Sequence, residues 1–261
     1  MLLDLLVGTL VLRPYVFGFL AIFLIAGAAD LGWRRTLAFW ACVSPLAWAA
    51  EVTSTRTGFP FGLYHYTGLT RGQEIFVADV PLMDPLSFGF LTYAAFCLAR
   101  GALRGRRVHP VGLALATGAL MSVLDMVVDP VAVLGDRWFL GRVFAYAEPG
   151  VFFGVPLSNF VGWLLVGTAG TGVFLGWDAG RAAGRDAGGG VAVAADPHGW
   201  RRWPGIALYY AVLAFNLLVA AWIDEWLLLL VGVTVHAVTA AGLWLLLQRP
   251  AVRLGLENQR A

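Results

Sequence analysis

The run Val111–Leu134, VGLALATGALMSVLDMVVDPVAVL, decides how the rest of the chain is read. It exceeds the roughly 20 apolar residues needed to cross the hydrocarbon core of a bilayer. Its second half nevertheless carries Asp125, Asp129 and Pro130. The length predicts a membrane-spanning helix. The two acids, each costing a few kcal/mol or more at membrane depth, predict that this helix holds a functional site.

Outward from it, six more runs satisfy the same criterion: Tyr15–Leu31, Thr36–Val52, Pro81–Ala99, Val151–Trp177, Gly205–Trp222 and Leu227–Gln248. The expected fold class is therefore an all-α polytopic membrane helix bundle of about seven transmembrane helices. Composition agrees: 59% of residues are hydrophobic and 13% charged, against about a quarter charged in soluble domains, and the mean hydropathy is +0.76. The interruptions are short, so residues 1–261 read as a single integral membrane domain. Asp178–Pro204, rich in Gly, Ala and Arg, reads as a flexible cytoplasmic loop. The first dozen residues are apolar but too short to span, and they lack the basic start of a signal peptide.

Arginine placement orients the bundle. Arg34 and Arg35, then Arg100, Arg104, Arg106 and Arg107, then Arg181, Arg185, Arg201 and Arg202, and finally Arg249, Arg253 and Arg260 fall on alternate connections. The positive-inside rule puts these in the cytoplasm, the N-terminus outside and the C-terminus inside, in a multi-pass protein of the cytoplasmic membrane. All 18 basic residues are arginine, so a retinal Schiff base, which needs a lysine amine, is excluded. Nucleotide-binding Gly-x-Gly-x-x-Gly and Walker patterns are absent, and topology accounts for the basic residues without nucleic acid. Cys42 and Cys97 lie in apolar runs and read as small buried hydrophobes. No His/Cys/carboxylate spacing suggests a metal site.

With this topology Glu51, Asp84, Asp125, Asp129, Asn159 and His236 share the outer leaflet. Asp125 and Asp129, four apart, share a helix face. Two carboxylates that close in low dielectric do not both ionise easily, which gives a protonated acid beside an ionised base, the arrangement proton transfer needs. The other reading is a structural pair holding loop amides or an arginine such as Arg137 or Arg142. Pro45, Pro130 and Pro156 are expected to deprive the carbonyls of Ala41, Met126 and Phe152 of their helical partners. His236 by itself reads as a packing residue. The loop Thr53–Val80, with Gly58, Pro60, Gly62, Tyr64, Tyr66 and Gly68, is expected to fold back on the helix ends. Phe59, Phe61, Tyr64, Tyr66, Phe152, Phe153, Phe160 and Trp163 flank the acids as ordinary packing or as walls for an apolar ligand able to stabilise a cation.

Three stretches, taken in order, resemble a known family. They are Glu51 followed by Gly58-Phe59-Pro60-Phe61-Gly62-Leu63-Tyr64-His65-Tyr66; Asp125-Met126-Val127-Val128-Asp129-Pro130; and Phe153-Gly154-Val155-Pro156-Leu157-Ser158-Asn159-Phe160-Val161-Gly162-Trp163. Together, over roughly Pro45–Trp163, they resemble the CruF-type carotenoid biosynthesis membrane proteins, which include carotenoid 1,2-hydratases and bisanhydrobacterioruberin hydratases. One departure is Phe88, where members often carry Trp. The resemblance implies a cofactor-independent hydro-lyase. It adds water to the terminal 1,2 double bond of an acyclic carotenoid ψ-end through a tertiary cation, giving a tertiary alcohol. It implies Asp125 or Asp129 as acid, the other or Glu51 as the base toward water, and Asn159 as the orienting amide. Phe61, Tyr64, Tyr66, Phe153, Pro156, Phe160 and Trp163 would bind substrate. The implied partners are the lipophilic carotenoid, membrane lipid and other carotenoid-pathway enzymes, with no metal and no cofactor. From the residues alone, a proton-coupled transporter and a non-catalytic or prenyl-transfer partner stay open, although no internal repeat and no second Asp-rich motif are present.

Overall fold

The structure, a computed structural model, describes residues 2–106, 108–182 and 200–248. Among these, eight helices follow in order: α1 (Leu2–Leu12), α2 (Pro14–Asp30), α3 (Trp33–Thr57), α4 (Met83–Ala102), α5 (Pro110–Val133), α6 (Leu157–Ala182), α7 (Trp203–Trp222) and α8 (Trp226–Gln248). Short strands β1 (Tyr64–Tyr66), β2 (Phe76–Val77), β3 (Val80–Pro81) and β4 (Phe144–Tyr146) lie in the loops. The chain is mostly helical, and each apolar run of the sequence overlaps one of α2 to α8. Of the linker Asp178–Pro204, Asp178–Ala182 end α6 and Trp203 and Pro204 begin α7; residues 183–199 lie outside the described residues.

Four helices, α5 to α8, are long and apolar enough to cross a membrane by themselves. The pair α1 and α2 makes a fifth if taken together, bent by 88° at Arg13. Arg13 is followed by Pro14, which opens α2 and has no amide to extend α1 into it. α3 and α4 fall short for a physical reason. α3 carries Arg34, Arg35, Glu51 and Arg56, and α4 carries Asp84 and Arg100. α4 is buried almost all round, between α2, α3, α5 and α7. A helix shielded by its neighbours need not be apolar enough to face lipid. The opposite extreme is α8, whose Leu227, Leu230, Val233, Val238 and Trp244 are exposed.

The tightest approach is between α5 and α6. A Cβ on Gly167 would sit 2.8 Å from Met121 Sδ and 3.0 Å from the Cα of Gly118, while one on Gly118 would overlap Thr168 and the carbonyl of Leu164. Two facing glycines let the backbones touch, the usual basis of close helix pairs in membranes. This contact sets the spacing of the two helices that hold the acid pair and its amide.

One expectation is corrected. The run Val151–Trp177 does not begin as helix, because α6 starts at Leu157. Phe153 (φ 49°) and Gly154 (φ 83°) turn the chain, the Val155 N–H donates to Phe152 O (2.9 Å), and Pro156 bars Val155 from helical geometry. Pro156 is therefore not an interior break, and the Phe152 carbonyl is satisfied. Its own carbonyl accepts the Asn159 N–H (3.0 Å), the first turn of α6. Pro45 and Pro130 do lie inside continuous helices.

The two ends of the bundle differ chemically. At one, Arg100 pairs with Asp30 (2.6 Å) and the Arg202 guanidinium donates to the Arg100 carbonyl (3.3 Å). At the other, Arg13 pairs with Glu74 (2.9 Å), with side chains 3% and 0% exposed. Arg13 also donates to Leu140 O (2.9 Å), and the Thr9 hydroxyl accepts the Ile75 N–H (3.0 Å), so α1 is pinned to the Thr70–Ile75 turn. Removing one partner of a buried pair strands the other charge. Glu74→Ala is expected to destabilise the protein by about 3–5 kcal/mol, read as a lowered midpoint of thermal unfolding in detergent.

Candidate active site

The site lies at the Arg13 end, where α3 finishes, α4 and α6 begin and the second half of α5 passes. α5 presents Asp125 and Asp129 one turn apart. The first turn of α6 brings up Asn159, whose Nδ2 donates to Asp125 Oδ2 and to Asp129 Oδ2, each at 2.6 Å. One turn on, Trp163 Nε1 donates to Asp129 Oδ2 at 3.3 Å. Asp125 is fully buried, and its Oδ1 has no hydrogen-bond partner among the described residues. Arg137 turns elsewhere, to Glu225 and the Ile223 carbonyl.

A second group faces this one. Glu51, on the last turns of α3, accepts the Tyr66 hydroxyl at 3.2 Å. Asp84, in the first turn of α4, interacts with the same phenol. Tyr66 reaches inward from a small lid. α3 ends at Gly58, whose φ of 81° turns the chain back. β1 then pairs antiparallel with β4, Tyr64 opposite Tyr146 and Tyr66 opposite Phe144. Alternation along β1 points Tyr64 and Tyr66 inward and leaves His65 exposed. The lid rings meet edge to face, Tyr64 to Tyr66 at 5.5 Å and Tyr64 to Tyr146 at 5.8 Å. Burial first, and the neighbouring carboxylates after it, push the hydroxyls of Tyr64, Tyr66 and Tyr146 well above the usual phenol value, so all three stay protonated donors.

Both groups open on one cavity of about 150 Å³. Glu51, Asp84, Asp129, Asn159, Trp163, Tyr64, Tyr66 and Tyr146 line it together with apolar side chains that include Val16, Phe19, Phe90, Leu91 and Val212. Asp125 is not among the lining residues and lies behind Asp129. Phe61 and Phe88 complete the aromatic wall, Phe88 stacking on Trp163 at 4.4 Å and 21°. The Phe61 ring sits against Gly162, where a Cβ would meet its Cε1 at 2.9 Å.

Of the residues singled out from sequence, Glu51, Asp84, Asp129, Asn159, Phe61, Tyr64, Tyr66 and Trp163 meet at the cavity. Phe153, Pro156 and Phe160 do not line it. Phe153 packs beside the second core cluster. Pro156 supports Gly62, whose added Cβ would lie 2.9 Å from Pro156 Cγ. The Phe160 carbonyl accepts the Ser122 hydroxyl at 2.7 Å. His236 is outside as well, its Nδ1 2.9 Å from Gly232 O. Arg13, Tyr146 and Asn216 line the cavity without having been singled out. Arg13 carried a signal, a charge in an apolar N-terminal run, whereas Tyr146 carried none.

Bundle, cavity and acids together define a helical membrane protein with a largely apolar cavity lined by buried carboxyl groups. The family model described as carotenoid biosynthesis protein matches residues 5–239, and the chain belongs to that family. The chain is also similar to a bisanhydrobacterioruberin hydratase of Haloarcula japonica, 32% identical over 145 residues. That match takes in 56% of this chain but 46% of the relative, so the chain spans less than half the relative's length. No solved structure matches.

Proposed function

We propose that this protein is a carotenoid hydratase that adds water across the terminal 1,2 double bond of an acyclic ψ-end, giving a tertiary alcohol. The observation that carries the reading is the position of Asp129. It is the member of the Asp125–Asp129 pair that faces the cavity, held at one oxygen by Asn159 and Trp163. Protonated, it is the acid that protonates the alkene, with Asp125 and Asn159 fixing it from behind. The tertiary cation forms against the faces of Trp163, Phe61 and Tyr64, which stabilise positive charge. Water captures it, and a carboxylate takes the released proton.

The cavity supports an end-group substrate. Its volume of about 150 Å³ is in the range that holds a six-carbon ring elsewhere. One branched terminus therefore occupies it while the polyene lies among the apolar helices. The relative's printed name, a hydratase of a carotenoid, points the same way. No redox step is involved. In the same reading α2 to α8 form seven spans of one integral domain in the cytoplasmic membrane, the arginine-rich end inside and the acid end outside. α1 is about 16 Å long at helical rise, too short to span, and lies along the outer interface with Leu3, Val7 and Val11 toward lipid.

The test is pigment analysis of bacterial cells that accumulate lycopene or γ-carotene and express this chain. Chromatography with mass detection is expected to show a product heavier by one water. Absence of such a product from these and from C50 acyclic carotenoids, with the protein present in the membrane, would remove the proposal in favour of a proton-coupled carrier.

A further inference from the structure

We propose that Asp84 is a second catalytic carboxyl of this hydration, the group that takes the proton from water while Asp129 gives one to the alkene. The inference rests on the hydratase reading above. Asp84 was one of the ionisable residues out of place in an apolar run, and the acid pair on α5 leaves it without a task. It lines the cavity on α4, across from Asp129 on α5, so substrate and water between the two helices meet both. Among the described residues no arginine forms an ion pair with it.

The hydrogens can be counted. The Tyr66 phenol has one hydroxyl hydrogen and two carboxyl neighbours, Glu51 and Asp84. One hydrogen cannot serve two carboxylates, so one of the two takes a hydrogen from elsewhere or holds a proton of its own, and Tyr64 and Arg13 line the same cavity. Position decides where negative charge then rests. Asp84 is in the first turn of α4, at the positive end of the helix dipole. Glu51 lies more than a turn inside the C-terminal end of α3, out of reach of a helix N-terminus, and has no such support. Glu51 is thus the neutral member and Asp84 the carboxylate facing the cavity.

The step balances. Asp129 gives its proton to the CH carbon of the terminal double bond, whose π electrons form the new C–H bond and leave a tertiary cation. The water oxygen forms a C–O bond to that cation, one water O–H breaks, and its proton passes to the Asp84 carboxylate. The proton then returns to Asp129 through water that refills the cavity. One water is consumed and nothing is oxidised or reduced.

Acid and base are separable in heavy water. With the acid intact and the base removed, the cation forms and collapses back by losing a proton, so unhydrated carotenoid gains deuterium near its terminus. In membranes carrying Asp84→Asn, incubated with lycopene in D₂O, hydrated product is expected to fall about 100-fold or more while recovered lycopene gains deuterium. Asp129→Asn is expected to give neither. Full hydration by Asp84→Asn overturns the proposal and leaves the hydratase reading standing. Loss of hydration without deuterium uptake, in a variant that accumulates normally, also overturns it, because that is the mark of a structural role. If Asp84→Asn does not accumulate, Tyr66→Phe tests the same group: about tenfold slower hydration with deuterium uptake is expected, and an unchanged rate overturns the proposal. If the wild-type chain hydrates neither lycopene nor a C50 acyclic carotenoid, the underlying reading has failed instead.

Discussion

Asp129→Asn is expected to lower carotenoid hydration by about 10²–10⁴-fold, the range for loss of a positioned general acid. The change keeps the shape of the side chain. It exchanges the carboxyl, whose Oδ2 accepts from both Asn159 and Trp163, for an amide that cannot protonate an alkene. Asp125→Asn is expected to cost less, because Asp125 is fully buried and, unlike Asp129, does not line the cavity. Its effect is that of losing a neighbour which positions the acid. The measurement is the rate of product appearance in membranes at matched protein level. Equal losses in the two variants would mean that they act as one inseparable unit. Full activity in Asp129→Asn would remove it from the chemistry and transfer the acid role to the Glu51–Asp84 side.

Gly118→Val is expected to be the most damaging change away from the cavity. Its branched side chain would enter space already held by Thr168 and the Leu164 carbonyl, with Gly167 directly opposite. Overpacking alone costs about 1–3 kcal/mol. The larger effect is geometric. Asn159 bridges α6 to both aspartates of α5 through two 2.6 Å hydrogen bonds, and these do not survive an ångström of separation. A misplacement of that size can cost about 100-fold in rate. Gly118→Val is therefore expected to lose both membrane accumulation and the activity of whatever accumulates. Gly172→Ala, on the same α6 but with nothing within 4 Å of the added carbon, is expected to leave both unchanged. Western blotting of membranes together with pigment analysis separates the two variants.

The helices and the acids were legible because the bilayer imposes a strong, local rule. Apolar runs long enough to span became α2 to α8, and Asp125 and Asp129 stood out because membrane depth makes a carboxylate costly. Their spacing of four also foretold a shared face. What escaped is non-local or depends on single dihedral angles. The pairing of Tyr64–Tyr66 with Phe144–Tyr146 joins two loops that no short-range pattern connects, so Tyr146 went unnoticed. The late start of α6 rests on Phe153 and Gly154 at positive φ, which hydropathy does not register. Phe153 and Phe160 look like cavity walls in a linear motif, yet their side chains sit on other faces of the turn and the helix. Asp84 was visible as an anomaly, but its relation to Tyr66 needed the lid. The bend after α1 was written as Arg13-Pro14, and the buried Glu74 and the Leu140 carbonyl explain why an arginine is tolerated there.

The lid carries a consequence for how the protein is made. Its strands are separated by α4 and α5, and the amide that bridges the aspartates comes later still, at Asn159. When only the first four helices have been made, Glu51 and Asp84 already have Tyr66 between them, but β4, the partner of β1, is still to come. The acids of α5 then wait for α6. The site therefore has all its residues only once the first turns of α6, through Trp163, have been made.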